Sequence, residues 1–346
     1  MSAGDPFHGI EDELCALVRA SIGADVANVE RLTGGGLAHR RFYRVTLRSG
    51  APATLIARAD RGEPAPGVLP EPALEPLRTF LETHGLPVPR RLGGDPARGL
   101  DLLEDLGDAS LAQLLESADA AQRRALYEEA CALVPRLQRL ADPGGRVPAF
   151  GRRLDATLFR VKAQRFAASG LQALLGRAAT AAERDVVFAA FDAIAGAAAS
   201  APQRLAHRDF QSRNLIQRRH PRGLAMIDLQ GALLAAPEYD LVCLLRDSYV
   251  VLADDECAAL AEQLRPALPD APDAGEFTQR FDLLTITRKA KDFALFHEVA
   301  ARGDASWLRY APATLGYVRR ALGRVAGSDG RLAQLAEVIG GDACAR

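Results

Sequence analysis

The segment 207–214, HRDFQSRN, places a carboxylate, Asp209, five positions before an amide, Asn214. A second aspartate, Asp228, follows a short apolar run in the phrase MIDLQG. A carboxylate held in a loop can take a proton from a hydroxyl group, and amide and carboxylate oxygens are ligands that Mg²⁺ accepts. A base and a metal site are what phosphoryl transfer needs, because its catalysis consists of positioning and charge neutralisation. The pattern therefore indicates transfer of a phosphoryl group.

Length and composition limit the kind of protein that carries these residues. The chain has 346 residues, 48% of them hydrophobic and 25% charged, with a formal net charge of -1. These values predict a soluble protein of two domains or lobes. The absence of a basic excess argues against nucleic-acid or membrane partners, so we expect a small-molecule substrate. We also expect a monomer. Five scattered cysteines and an acidic N-terminus without a signal-peptide pattern predict a cytoplasmic protein with reduced thiols.

The first third of the sequence predicts a small antiparallel sheet with helices. An amphipathic helix over 11–22 precedes three short strand-like runs, which are joined by turns rich in glycine and proline. A second helix and a further strand complete this part. The predicted strands cover 26–32, 41–47, 54–58 and 100–103, and the second helix covers 73–84.

The rest of the sequence is mostly helical in pattern. Thr180 and Glu183 form a capping-box start for one of its helices. The two chemical phrases read as short strand–loop segments, and helices resume from about Asp240, which we expect to brace the catalytic loop from a helix N-terminus. The predicted helices before those phrases cover 111–116, 120–140, 153–168 and 181–199.

The spacing H-R-D-x-x-x-x-N followed by I-D-x resembles the aminoglycoside phosphotransferase/choline kinase branch of the protein-kinase-like fold. Further phrases, including LLEDLGDASL, IDLQGALLAAPEYDLVCLLRD and TRKAKDFALF, are similar to bacterial anomeric N-acetylmuramate/N-acetylglucosamine kinases of cell-wall recycling. The resemblance implies an α+β, two-lobed fold with a β-rich N-lobe over 1–106 and a helical C-lobe over 107–346. It also implies that ATP, bound in the cleft between the lobes, phosphorylates the C1 hydroxyl of an amino sugar.

The same resemblance assigns roles to individual residues. Asp209 becomes the catalytic base, and Asn214 and Asp228 become Mg²⁺ ligands. The segment 103–106 is expected to hold the adenine, which gives Glu104 and Leu106 a place in the nucleotide site. The loop TGGGLAHRRF is expected to cover the phosphates, and its glycine amides can approach anionic oxygens closely. The glycines concerned are Gly34, Gly35 and Gly36.

One feature of the kinase pattern is absent. Kinases of this fold usually have a lysine on the third strand that pairs with a glutamate on the next helix, but this part of the chain has no lysine. Arg58 and Glu75 are the available pair, although guanidinium and ammonium groups differ in geometry; a solvated surface pair is the alternative. His207 is expected to pack against the catalytic loop rather than to bind a metal.

Five polar residues are candidates for contact with the substrate or its phosphate. Arg288 and Lys291, three residues apart on one helix, would suit a carboxylated sugar such as N-acetylmuramate. The other three residues could instead be partners in salt bridges. The full set is Gln211, Arg213, Arg246, Arg288 and Lys291.

Two other functions are compatible with the sequence. The acceptor could be an aminoglycoside, choline or another alcohol, since the chemistry is the same. Alternatively, the protein could be a nucleotide-binding pseudokinase, which the missing lysine would favour. Asp209, Asn214 and Asp228 argue against that second alternative, because a protein without catalysis has no need of all three.

Overall fold

The computed structural model describes residues 5–32, 39–61 and 71–340. Within them the chain forms two compact units. The N-terminal unit runs to Asp108 and includes Ile216–Ile227, and the C-terminal unit comprises Ala109–Leu215 and the chain from Asp228. The sequence analysis had divided the lobes at 106 and had placed 216–227 in the second. The segment joins the first unit because Ile216 and Ala225 pack with Leu106.

The N-terminal unit is built on a five-stranded sheet of order β1-β2-β3-β5-β4, in which every neighbouring pair is antiparallel. The predicted antiparallel sheet is therefore confirmed. Tyr43 and Val45 of the second strand and Leu55 and Ala57 of the third lie at alternate positions, so they bury one face of the sheet in the core of this unit. The strands are β1 (Val26–Arg31), β2 (Arg40–Leu47), β3 (Thr54–Asp60), β4 (Arg91–Asp95) and β5 (Leu100–Glu104).

Two helices accompany this sheet. Helix α1 (Ile10–Ile22) is confirmed as predicted, and its Leu14 and Val18 are fully buried in the same core. Helix α2 (Leu77–Thr83) begins four residues later than its predicted start, because Pro76 occupies its N-cap position and the chain before it is not helical.

Strand β4 was not predicted, because its sequence RLGGD contains the two glycines that usually indicate a turn. The structure shows why glycine is needed there. A Cβ atom on Gly93 would lie 2.5 Å from the Cβ of Ser21, so the strand can pass α1 only without a side chain at this position.

The C-terminal unit is predominantly helical, as predicted. Its α7 starts with the predicted capping box, in which the Thr180 hydroxyl accepts from the backbone N–H of Glu183. The predicted helix 153–168 is shorter as an α-helix and continues through a π-helical turn, Phe166–Gly170. The helices are α3 (Leu111–Ser117), α4 (Ala120–Gln138), α5 (Ala156–Arg165), α6 (Leu171–Leu175), α7 (Ala181–Ser200), α8 (Tyr239–Leu245), α9 (Asp254–Leu264), α10 (Ala274–Ala301), α11 (Ala311–Val325) and α12 (Gly330–Gly340).

Four short strands surround the two chemical phrases. In the C-terminal unit, β6 (Arg204–Ala206) pairs antiparallel with β9 (Leu233–Ala235). In the N-terminal unit, β7 (Leu215–Arg218) and β8 (Gly223–Met226) form a two-stranded sheet. The predicted strand–loop character of both phrases is confirmed. Among the described helices, none is long and apolar enough to cross a membrane.

Candidate active site

The loop that carries Asp209 begins at the end of β6 and is held there by α8. The carboxylate of Asp240, in the first turn of α8, accepts hydrogen bonds from the backbone N–H groups of His207 (2.7 Å) and Arg208 (3.0 Å). This confirms the predicted bracing role of Asp240. Arg208 has a φ of 77°, a left-handed conformation that costs free energy in a residue other than glycine. The bonds to Asp240 therefore fix a bend that the chain would otherwise avoid.

The same loop carries Asn214 and is closed by that residue. The side-chain N–H of Asn214 donates to the backbone carbonyl of Asp209 at 2.8 Å. Because the amide nitrogen is engaged, the amide oxygen is the atom that can serve as a ligand. Asp247 fixes the middle of the loop by accepting from the backbone N–H of Ser212 at 2.8 Å. Asp209 and Asn214 are thus held in one rigid turn, as their spacing predicted.

Asp228 is brought to this loop by the turn that follows it. Its φ of 64° directs the chain into a short 3-10 turn, Leu229–Gly231. A Cβ on Gly231 would lie 3.6 Å from Oδ2 of Asp209, so the turn passes directly against the predicted base. Gln230 donates to Oδ1 of Asp228 and orients that carboxylate. The structure therefore places the turn of Asp228 beside Asp209.

Asn214 and Asp228 offer two oxygen ligands. That set suits Mg²⁺, which also binds phosphates and water, better than it suits a metal that is bound only by protein side chains. Asn214 supplies an amide oxygen and Asp228 a carboxylate. Within residues 5–32, 39–61 and 71–340, no group of three or more His, Cys, Asp or Glu side chains could hold a metal ion. Mg²⁺ is usually bound through one or two carboxylates together with substrate phosphates and water. Asn214 and Asp228 are the residues that could hold Mg²⁺ in this way.

Asp209 forms a partly buried ion pair on its other side. Nη1 of Arg288, on α10, lies 2.8 Å from Oδ1 of Asp209, and the Arg288 side chain is 4% exposed. Burial raises the pKa of Asp209, but the charges of Arg288, Lys291 and Arg208 outweigh it and hold the pKa below its usual range. Asp209 is therefore ionised in the free protein, which is the form a general base requires.

Helix α10 carries a cluster of charges that extends from this ion pair. Asp292 is bound by Nε of Arg288 at 3.3 Å, by Lys289 at 3.0 Å and by Lys291 at 2.9 Å. Burial raises the pKa of Asp292, and the three cations hold it well below its usual range. Arg288 thus lies between the two carboxylates, Asp209 and Asp292. The sequence analysis missed Asp292, although its spacing of four from Arg288 on one helix was a usable signal.

The other candidate contact residues occupy different surroundings. The side-chain oxygen of Gln211 lies 3.5 Å from Nη2 of Arg288, close to the base. Arg246 is buried and paired with Asp254, with its guanidinium over the ring of Phe281. Its observed contacts are those of the salt-bridge alternative. His207 is buried and meets Phe210 edge-on, in agreement with its predicted packing role.

In the N-terminal unit, the predicted pair of Arg58 and Glu75 is not formed. Arg58 is bound to Asp101, at 3.0 Å, and to Asp60, because the pairing of β3 with β5 places Asp101 directly opposite Arg58. Glu75 instead accepts from Arg78 and from the backbone N–H of Thr79. The prediction of an Arg58–Glu75 pair was therefore wrong. Burial and the charge of Arg40 lower the pKa of Arg58, which Asp60 and Asp101 partly offset.

The predicted adenine segment lines a cavity in the N-terminal unit. The cavity has a volume of about 480 Å³ and is formed by 104–108 together with Arg44, Thr54, Arg90 and 218–220. Leu106 contributes an apolar surface, whereas the carboxylate of Glu104 binds Arg218 at 3.3 Å. The predicted roles of Glu104 and Leu106 in nucleotide binding stay predictions. Gly34, Gly35 and Gly36 lie outside the described residues.

Comparison with known proteins agrees with this chemistry. A sequence profile described as "Phosphotransferase enzyme family" matches residues 29–277. A curated protein of Neisseria meningitidis serogroup B, named N-acetylmuramate/N-acetylglucosamine kinase, is 28% identical over 309 residues, which cover 87% of this chain and 88% of that protein.

Solved structures with the same fold include a choline kinase and an aminoglycoside phosphotransferase. Choline kinase LicA from Streptococcus pneumoniae has a TM-score of 0.60 and 14% identity, covering 92% of this chain and 99% of its own. An ADP-bound aminoglycoside phosphotransferase, APH(2'')-Ib, has a TM-score of 0.56 and 13% identity, covering 95% and 98%. At these identities the likeness shows the fold, and the predicted kinase-like α+β class is confirmed.

Proposed function

This chain belongs to the phosphotransferase enzyme family, and from that premise we propose that it is an ATP-dependent kinase acting on the anomeric hydroxyl of an amino sugar. The observation that carries the proposal is the position of Asp209 between the Asn214 loop closure and the turn that follows Asp228. The loop that carries Asn214 and the turn that follows Asp228 thereby both adjoin Asp209. The related Neisseria protein, named for N-acetylmuramate and N-acetylglucosamine, supports the acceptor.

Each residue has a defined part in the proposed reaction. Asp209 takes the proton of the acceptor hydroxyl while the hydroxyl oxygen forms a bond to the γ-phosphorus of ATP. The bond from that phosphorus to the bridging oxygen of ADP breaks, and ADP leaves. Asn214 and Asp228 would hold Mg²⁺, which neutralises phosphate charge when bound. Arg288 keeps Asp209 ionised and oriented through the 2.8 Å ion pair.

The charges beside Asp209 favour an acceptor that is neutral or negative over one that is positive. Arg288 pairs with both Asp209 and Asp292, and Lys289 and Lys291 pair with Asp292. A polycation such as an aminoglycoside would meet like charges in this region, which is unfavourable. N-acetylmuramate carries a carboxylate, and Lys291, whose side chain is 18% exposed, is the cation best able to reach it.

The division of labour between the units is also part of the proposal. We assign adenine binding to the N-terminal unit, through 103–106, and acceptor binding to the C-terminal unit. We further expect a cytoplasmic protein that acts on a small molecule, and we expect it to be a monomer.

The direct test is ADP release, measured with ATP and Mg²⁺ against N-acetylmuramate, N-acetylglucosamine, choline and kanamycin side by side. We expect turnover with the two amino sugars and at most background with the two cations. Faster turnover with choline or kanamycin would contradict the proposal that the acceptor is an amino sugar. Binding of Mg²⁺-ATP without turnover on any acceptor would favour the pseudokinase.

A second test separates the two sugars. Lys291→Gln should raise KM for N-acetylmuramate, by about tenfold for one charge-assisted contact of about 1.5 kcal/mol, and leave KM for N-acetylglucosamine nearly unchanged, because only the former has a carboxylate. Arg165→Gln, which removes a different partly exposed cation of this unit, serves as the control. Equal effects on both sugars would exclude Lys291 from recognition of the carboxylate.

A further inference from the structure

An aromatic cage lies directly behind the catalytic loop, and a side chain of that loop fills it. The guanidinium of Arg213, next to Asn214, lies 3.8 Å from the ring centre of Tyr249, 5.3 Å from that of Tyr310 and 5.7 Å from that of Trp307. These distances are within the range in which a cation is attracted by the face of a ring. Three aromatic side chains therefore surround one positive charge.

The rings support one another as a preformed structure. Tyr249 and Tyr310 meet edge to face at 5.0 Å and 86°, and Trp307 meets each of them edge to face at 6.2 Å and 6.4 Å. Phe296, on α10, closes the cluster at 5.8 Å from Tyr310. Such edge-to-face pairs are favourable in themselves. The contacts between the rings therefore help to hold the cage in shape even without Arg213.

Hydrogen bonds tie the cage to the loop. The hydroxyl of Tyr310 accepts from Nη2 of Arg213 at 2.6 Å. The carboxylate of Asp247 accepts from the backbone N–H of Ser212 at 2.8 Å and from that of Tyr249 at 3.0 Å. One carboxylate therefore sets the backbone before Arg213 and the backbone of its main ring partner together. The loop is anchored to the cage by both its main chain and its side chain.

We propose that Arg213 is a positioning residue whose guanidinium acts as an internal cation, closing the cage of Tyr249, Trp307 and Tyr310 and thereby fixing the loop between Asp209 and Asn214. Aromatic cages of this kind bind guanidinium and small alkylammonium ions. With Arg213 in place the site is filled, which denies it to a cationic acceptor such as choline. Removal of the Arg213 side chain opens a site for a free cation of the same class.

The test is chemical rescue of Arg213→Ala by guanidinium. We expect kcat to fall by about tenfold, with little change in KM for the acceptor, because the loop loses the side-chain contacts that anchor it to the cage. Millimolar guanidinium chloride should restore kcat to within about threefold of the original value by refilling the cage. Urea, which has the same planar shape without charge, and sodium chloride at equal ionic strength should not restore it.

Binding can be followed without any substrate, because Trp307 is the single tryptophan of the chain. Guanidinium and tetramethylammonium should change the Trp307 fluorescence of Arg213→Ala in a saturable manner, and should leave that of the unmodified protein unchanged. The activity measurement rests on the proposed kinase function, whereas the fluorescence measurement does not. A wrong acceptor would therefore leave the binding result standing.

Arg309 provides a matched control. Its guanidinium also lies over Tyr310, at 4.7 Å, and donates to the same hydroxyl at 2.7 Å, but it is exposed and outside the loop. Arg309→Ala should keep kcat within about twofold of the original value, because Arg309 is exposed and does not belong to the loop. Equal losses in both variants would contradict the proposal, as would rescue by urea or full activity of Arg213→Ala.

If Arg213→Ala does not fold, two variants of similar length decide the question. Arg213→Lys keeps a cation in the cage and should retain kcat within about threefold, whereas Arg213→Met should lose about tenfold. Equal activity of the two would show that the charge is irrelevant and would overturn the proposal.

Discussion

Asp209 owes its ionised state to residues that lie far from it in the sequence. Its hydrogen-bonded loop is local, but Arg288, which pairs with it at 2.8 Å, comes from a helix 79 residues away. The spacing of Asp209 and Asn214 was sufficient to predict their shared loop. The pairing of Asp292 with Arg288 is local, four residues apart on one helix, whereas the contributions of Arg288 to the base and of Asp247 to the loop depend on tertiary packing, which no local spacing encodes.

Replacement of Asp209 tests the base directly. Asp209→Asn should lower kcat by about 10²–10⁴-fold, the usual contribution of a general base, because an amide cannot accept the proton. The variant should still fold, since the shape is kept, but its thermal unfolding midpoint should fall because Arg288 loses the charge of one of its partners. Asp192→Asn, at an acid that pairs with Arg160 on the surface, should leave kcat unchanged. Full activity of Asp209→Asn would remove it from the mechanism.

The ion pair between Arg288 and Asp209 should affect how kcat/KM depends on pH. Its charge lowers the pKa of Asp209, so Arg288→Gln should let that pKa rise toward the ordinary value of about 4 or above. The acidic limb of the kcat/KM profile, which reports the free enzyme, should therefore move to higher pH. Arg288→Lys, which keeps the charge, should move it less. An unchanged acidic limb in Arg288→Gln would contradict the assigned role.

At the scale of elements, α8 and β6 are joined through one buried carboxylate. Asp240 lies in the first turn of α8 and holds the backbone after β6 by two hydrogen bonds. The sequence predicted this brace because the aspartate begins a helix shortly after the catalytic phrases. It did not predict β4, whose glycines serve the close approach of α1, nor the true partner of Arg58, which depends on strand register.

The brace should show in the pH dependence of stability. Burial raises the pKa of Asp240 to about 6, from 3.8. The folded state therefore binds this proton more tightly than the unfolded state does. The stabilisation that the protonated Asp240 contributes is fully present below pH 3.8 and is lost as the pH rises through about 6. The unfolding free energy of the protein minus that of Asp240→Asn should therefore decrease across this interval.

Urea unfolding of both proteins at a series of pH values measures that difference. Asp192→Asn again provides the comparison, because its side chain lies on the surface of α7. A difference between the protein and Asp240→Asn that stays constant, or that increases as the pH rises, would show that Asp240 does not titrate as inferred.

At the scale of the whole molecule, the two units follow the predicted order of a β-rich part and a helical part. The sheet pattern, the helix pattern and the motif spacing were all visible in the sequence because each is local. The grouping of 216–227 with the N-terminal unit was not visible, because it depends on the packing of Ile216 and Ala225 with Leu106. The acceptor is likewise a property of the assembled site, in which charges from α10 meet the catalytic loop.

The proposed reaction is tested most directly by finding which hydroxyl group of the product carries the phosphate. Product formed from ATP and N-acetylmuramate or N-acetylglucosamine should show, by ³¹P NMR, one phosphorus coupled to the anomeric proton, in an amount equal to the ADP released. Asp209→Asn should give no such signal in the same time. A phosphorus coupled to protons at another carbon, or product only from choline or kanamycin, would contradict the assignment.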